Sequence, residues 1–170
     1  SQAIPLLLKS DNDIIVQAQT GTGKTATFGL VFTDQLQEGS KNPQAIVITP
    51  TRELALQVAA EISSLRGKKK LQVLPVYGGQ PFRTQLRHLR NGVDIVVGTP
   101  GRVLDHIRRG SLNLSKTQYC VLDGADEMLN MGFIEDIENI LDVANPGRQL
   151  LLFSATMPKP VSYTHLTLPT

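Results

Sequence analysis

Apolar residues gather in six short runs that are nearly continuous rather than alternating: DIIVQA at 13–18, QAIVIT at 44–49, LQVLPVY at 71–77, DIVVGT at 94–99, YCVLD at 119–123 and QLLLFSAT at 149–156. Continuous runs of this length suit strands covered on both faces, as in a parallel sheet. Between them the period becomes helical. RELALQVAAEISSLR at 52–66 sets Leu54, Val58, Ile62 and Leu65 along one face, and RTQLRHLR at 83–90 and RVLDHIRR at 102–109 read similarly. This alternation predicts an α/β domain, a parallel sheet with right-handed crossovers and helices on both faces. Ligands of such sheets bind beyond the carboxyl ends of the strands. Every unusual motif in the chain falls at one of those ends.

Size and composition narrow the picture further. At 170 residues the chain fits one domain, whose core can bury roughly two-thirds of the surface of the unfolded chain. No internal repeat or long linker divides it. The single cysteine, Cys120, lies inside YCVL, which suits a buried thiol acting as a small hydrophobe and excludes a disulfide within one chain. No apolar run approaches the ~20 residues of a membrane-spanning helix, and no signal-peptide pattern opens the sequence. The expectation is a cytoplasmic protein with no membrane partner. A net charge of +2 does not identify a polyanionic partner, although RGKKK at 66–70 and Arg83, Arg87, Arg90, Arg102, Arg108 and Arg109 are unevenly placed. On charge alone, a solvated basic surface serves equally well. VSYTHLTLPT at 161–170 has no helical period and follows MPKP. The domain is expected to occupy 1–160, and 161–170 to be a disordered or foreign tail.

The most specific chemistry stands at the first strand end. AQTGTGKT at 18–25 follows a strand pattern and opens a helix, the context that a phosphate-binding loop requires. Gly21 and Gly23 would let backbone N–H groups approach phosphate oxygens, with Ala18, Gln19, Thr20 and Thr22 completing the loop. The following helix directs its partial positive charge at the same place. Lys24 would neutralise the β- and γ-phosphates of ATP, and Thr25 would bind Mg²⁺. The strict pattern has glycine where Ala18 stands, and a chance glycine turn is the alternative. The other half of the site is Asp123, about a hundred residues later at the end of YCVLD. A lone aspartate there is usually a cap or turn residue; beside this loop it reads as a magnesium ligand.

Together these stretches resemble the DEAD-box family of ATP-dependent RNA helicases, specifically the first of its two RecA-like domains, over nearly all of residues 1–160. AQTGTGKT is similar to motif I, PTRELA at 50–55 to motif Ia, GG at 78–79 and TPGR at 99–102 to the next two RNA-facing motifs, DGAD at 123–126 to the namesake motif II, and SAT at 154–156 to motif III. Any one triplet is weak, whereas the full set in this order and spacing is specific. The resemblance implies a RecA-like P-loop fold, ATP and Mg²⁺ as cofactors, RNA held mainly by its backbone, and a second RecA-like domain in the complete protein. Pro50, Thr51, Arg52, Gly78, Gly79, Thr99, Pro100, Gly101 and Arg102 are the residues it sets against RNA.

The residue types at these junctions suit that role. The Thr51 and Thr99 hydroxyls, the N–H groups at helix starts, and Arg52 and Arg102 could hold successive phosphates without reading bases. The alternative makes the threonines helix caps and the arginines partners of nearby carboxylates, so the arginines rank below the threonines and glycines as RNA contacts. The resemblance also implies that Ser154 and Thr156, flanking Ala155, hydrogen-bond the last aspartate of motif II, Asp126, and so couple the nucleotide and RNA sites.

Three departures stand out. The family's motif II reads Asp-Glu-Ala-Asp, and its glutamate orients and activates the attacking water; Gly124 has no side chain to do so. Glu127 lies three residues on from Gly124 and is expected to point elsewhere. The family's adenine-reading glutamine, counted back from Ile4-Pro5, would precede Ser1, so Gln2 is not expected to fill that role. A second domain, with the arginines that would complete the transition-state charge clamp, is not expected within these 170 residues. The expectation is therefore the ATP- and RNA-binding part of an RNA helicase, impaired in hydrolysis. A non-catalytic, nucleotide-dependent RNA-binding module remains open. Another P-loop ATPase is disfavoured, because PTRELA and TPGR have no role in nucleotide chemistry.

Overall fold

The computed structural model describes residues 13–18 and 23–156, together with the backbone of Thr167–Leu168. Strands β1 (Ile14–Gln17), β2 (Ala45–Ile48), β3 (Val73–Val76), β4 (Ile95–Gly98), β5 (Tyr119–Asp123), β6 (Gln149–Ser154) and the two-residue β7 (Thr167–Leu168) form one sheet in the order β3-β4-β2-β5-β6-β1-β7. All pairings are parallel, and each apolar run contains one of β1–β6. The helices are α1 (Lys24–Gln35), α2 (Arg52–Leu65), α3 (Phe82–Asn91), α4 (Pro100–Arg108), α5 (Ala125–Asn130) and α6 (Ile134–Asp142). Thr167 and Leu168, within 161–170, pair with Ile15 and Val16 of β1. The rest of 161–170 lies outside the described residues, as do Gln2, Gln19, Thr20, Gly21 and Thr22.

Strands look uniformly apolar because successive side chains leave opposite faces and helices cover both. Ala45, Val47, Ile95, Val97 and Val121 pack with Phe28, Phe32, Val58 and Ile62 of α1 and α2. Ile46, Ile48, Val96, Cys120 and Leu122 pack on the other face with Leu89, Val103, Met128 and Ile137 of α3–α6. On α2 the buried stripe is Ala55, Val58, Ala59 and Ile62, with Leu54 and Leu65 only partly buried. Leu65 instead packs on α1 at Gly29, where an added Cβ would come within 2.9 Å of its Cδ1. Burial pushes the Cys120 thiol up to about 11, so it stays protonated and serves as packing.

At the amino edge, Asp94 ties loops together. It accepts from the Ser40 N–H at 2.9 Å, the Gln72 N–H at 2.8 Å and the Gln44 side-chain amide at 3.2 Å. At the carboxyl edge, Ile48 is level with Gly98 and Leu122, Asp123 with Phe153, and Gln17 with Ser154. The parallel register therefore brings the ends of these strands, and the motifs that follow them, to one edge.

Candidate functional site

Because β6 lies between β1 and β5, the loop after β1 and the end of β5 stand two strand spacings apart, roughly 10 Å. Lys24, the first residue of α1, spans that gap and donates from Nζ to Asp123 Oδ1 at 2.7 Å. Both side chains are largely withdrawn from water, 14% exposed for Lys24 and 1% for Asp123. The second carboxylate oxygen, Oδ2, is buried and has no hydrogen-bond partner among the described residues. Such an atom in a native interior calls for an explanation, and a ligand supplies one. Thr25, next along α1, is buried at 5% exposure. Gly23 precedes the helix at φ +114°, a conformation that glycine alone adopts readily. The first turn of α1 carries no acidic residue to repel an anion.

No group of three or more His, Cys, Asp or Glu side chains is arranged to hold a metal among the described residues. Magnesium bound alongside a nucleotide needs only one or two protein oxygens, since phosphates and water complete its shell. The orphaned Asp123 Oδ2, with Thr25 close in the fold, fits that requirement.

Gly124 caps α5 in the left-handed region, at φ +85° and ψ +43°. Its N–H donates to the Phe153 carbonyl at 3.1 Å and its carbonyl accepts from the Met128 N–H at 3.0 Å. A Cβ here would sit 3.3 Å from Pro50 Cδ and 3.8 Å from Glu127 Oε2. The absent side chain is thus matched by a backbone turn that most other residues would strain to adopt. Glu127 is exposed, and its carboxylate folds back towards Gly124 rather than away, contrary to the sequence expectation.

Asp126 is the nexus of the second motif pair. Its Oδ2 accepts from the Thr156 N–H at 3.1 Å and the Thr156 hydroxyl at 2.9 Å. Burial alone would raise its pKa, but hydrogen bonds from the Thr156 hydroxyl and the N–H groups of Glu127, Thr156 and Ala155 hold it below the usual carboxylate range. The Ser154 hydroxyl donates to the Thr156 carbonyl. Ser154 therefore reaches Asp126 through Thr156, in place of the direct bond expected of it. Ala18 joins the same edge, its N–H donating to the Ser154 carbonyl at 3.0 Å.

The residues expected to face RNA lie on three neighbouring loops. Thr51 caps α2, accepting from the Leu54 N–H at 3.2 Å, and Pro50 is buried behind it. Thr99 caps α4 with no side-chain bond, so its hydroxyl is uncommitted; Pro100 begins that helix and is buried, while Gly101 is exposed. Gly78 and Gly79 are exposed, Gly79 at φ +88°. Arg52 leans over Tyr77, with Cζ 5.9 Å from the ring centroid. Arg102 turns inward, donating from Nη1 to the Gln80 carbonyl at 2.9 Å and to Gln85 Oε1 at 3.0 Å. Sequence reasoning missed Gln80, Gln85 and His106, which surround Arg102. The available signal was their spacing: Gln85 shares a helix face with Leu89, and His106 with Val103.

The DEAD/DEAH box helicase family matches residues 1–163. The chain is 54% identical over 161 residues to the DEAD-box ATP-dependent RNA helicase CshA of Bacillus subtilis, covering 95% of this chain and 32% of that protein. It is 55% identical over 160 residues to the ATP-dependent RNA helicase CshA of Listeria monocytogenes, covering 94% of this chain and 31% of that one. The crystal structure of a DEAD box protein from the hyperthermophile Methanococcus jannaschii superposes with a TM-score of 0.83 at 52% identity, over 93% of this chain and 43% of its own. The chain thus spans less than half the length of these relatives. Among the described residues no helix is long and apolar enough to cross a membrane. On sequence and fold together, the chain belongs to the DEAD/DEAH box helicase family.

Proposed function

We propose that the chain is the first RecA-like domain of an ATP-dependent RNA helicase, binding ATP with Mg²⁺ and the RNA backbone, in a complete protein that remodels RNA at the expense of ATP. The observation that carries this reading is the buried Oδ2 of Asp123, without a partner among the described residues, beside the Lys24–Asp123 pair. On nucleotide binding, Lys24 would transfer its N–H bonds from Asp123 to phosphate oxygens, and the freed carboxylate with Thr25 would hold the metal. Magnesium, when bound, neutralises and polarises the phosphates. Thr51, Gly79 and Thr99 would hold RNA phosphates, which position a strand without selecting its sequence. A second RecA-like domain would supply the remaining positive charge for phosphoryl transfer. A cytoplasmic location goes with an RNA partner.

Gly124 favours a second reading of the same site, a nucleotide-dependent RNA clamp with little turnover. General-base assistance contributes about 10²–10⁴-fold, and no side chain at 124 can give it. The test is RNA-stimulated ATP hydrolysis by the complete protein, Gly124 against Gly124→Glu, with thermal melting to correct for the strained backbone at φ +85°. The glutamate variant is expected to turn over roughly a hundredfold faster or more. Equal rates would remove the water-handling role from this position.

A further inference from the structure

Gln85 on α3 and His106 on α4 are both fully buried, which is unfavourable for an amide or an imidazole unless its polar atoms are bonded. Here they are. Gln85 Nε2 donates to the Tyr77 carbonyl at 2.9 Å and to Gln80 Oε1 at 2.7 Å. That fixes the amide orientation, so Oε1 faces Arg102 Nη1 at 3.0 Å and His106 Nε2 at 2.9 Å. An amide oxygen can only accept, and His106 must therefore carry its hydrogen on Nε2. Its Nδ1 then accepts from the Ser111 hydroxyl, 2.7 Å away. Burial, and then the Arg102 charge, lower the His106 pKa from 6.5 to about 4, so the neutral ring persists near pH 7. Phe82 stacks on it, with centroids 4.0 Å apart and planes 11° from parallel.

We infer that Gln85 and His106 are positioning residues that lock the Gly78–Gly79 loop to the amino end of α4 at Thr99–Arg102 and so set the spacing of two RNA phosphate contacts. The inference rests on the reading of those loops as RNA-facing. Gly79, at φ +88°, gives its loop little stiffness of its own. Restraint comes from Tyr77 and Gln80, whose carbonyls and side chain are held by Gln85 and Arg102. Contacts that read only the backbone discriminate by geometry alone, so displacing one loop against the other weakens binding without altering base preference. Arg102 acts here through protein acceptors, which explains why a positively charged side chain at an RNA-facing edge is turned inward.

The test uses the complete protein with His106→Leu, which deletes the bond to Gln85, and His106→Gln, whose amide nitrogen replaces Nε2. Hydrogen exchange of segments 77–81 and 99–103 is measured alongside affinity for single-stranded polyuridine. His106→Leu is expected to speed exchange in both segments and weaken RNA binding roughly three- to tenfold, with ATP affinity unchanged; His106→Gln should restore both. Ser111→Ala, which removes the Nδ1 partner and the hydroxyl's contact with the His106 carbonyl but leaves the Gln85 bond in place, is expected to give a smaller change in the same direction should His106→Leu fail to fold. Unchanged exchange, or faster exchange with full RNA affinity, overturns the positioning role. A wild-type protein that binds no RNA overturns the reading beneath it, and the positioning role falls with it; that failure is distinguished by appearing before any substitution.

Discussion

Asp94 and Asp123 are both fully buried, one just before β4 at the amino edge of the sheet and the other at the end of β5 at the carboxyl edge. Both oxygens of Asp94 are used: Oδ1 accepts from the Ser40 N–H and the Gln44 amide, and Oδ2 from the Gln72 N–H. Among the described residues, Asp123 has one ion pair through Oδ1 and no partner on Oδ2. A buried carboxylate is tolerated when its lone pairs are bonded and is costly when they are not. The same sheet thus completes one aspartate with its own loops and leaves the other half-finished. The first serves the fold; the second is suited to a ligand.

Substituting the two aspartates separates these roles most strongly. Asp94→Ala strands three donors and is expected to lower stability by about 3 kcal/mol or more, measured by urea unfolding. Asp123→Asn keeps an oxygen for Lys24 and removes the orphaned anionic oxygen, but it leaves the Lys24 ammonium opposite a neutral amide, so the loss is expected to be smaller than at Asp94 without vanishing. Equal losses at both positions would erase the distinction.

His106 offers a third buried titratable group, satisfied like Asp94 but neutral. Its folded pKa of about 4 lies below the ordinary 6.5, through burial first and Arg102 next, with Asp105 opposing and Arg109 assisting. The unfolded chain therefore binds its proton more readily. Stability is full above pH 6.5, falls as pH drops towards 4 and levels off below it, a total of about 3 kcal/mol. The difference between wild type and His106→Gln in urea midpoints across that range isolates this contribution. A difference independent of pH would show that the ring is charged or exposed.

Gly124 adjoins Asp123 and stands where the family resemblance implies a glutamate. Gly124→Ala must adopt φ near +85° and press on Pro50 Cδ at 3.3 Å, so a loss of about 1–2 kcal/mol is expected. No loss would mean that the turn readily rearranges. The smallest effects concern the two cap threonines. Thr51→Ala removes a capping bond and should cost about 1 kcal/mol. Thr99 makes no such bond, so Thr99→Ala should change melting by less than about 0.5 kcal/mol while weakening RNA binding as much as Thr51→Ala does.

The sheet and its helices were legible because six apolar runs and their helical spacers obey simple periods, and β5 spans Tyr119–Asp123 as the run did. Lys24 and Asp123 were readable because a glycine loop and a strand-end aspartate are types whose chemistry is tied to position. The turn at Gly124 was not, since a missing side chain says nothing of φ. The return of Glu127 towards Gly124 depends on the short α5 starting at that turn. Gln85 and His106 escaped notice because polar residues on amphipathic helices read as solvated, and only the fold shows that their faces turn inward. The inward turn of Arg102 followed from those two and was equally hidden.

We propose that Asp123 Oδ2, which has no partner among the described residues, is a magnesium ligand in the nucleotide complex. The most direct test is calorimetric titration of the complete protein with ATP, with Mg²⁺ and with a chelator, for wild type and Asp123→Asn. Wild type should bind ATP roughly tenfold or more tightly with Mg²⁺, and Asp123→Asn should bind about equally in both conditions. An Asp123→Asn protein that gains as much from Mg²⁺ as wild type would contradict the account.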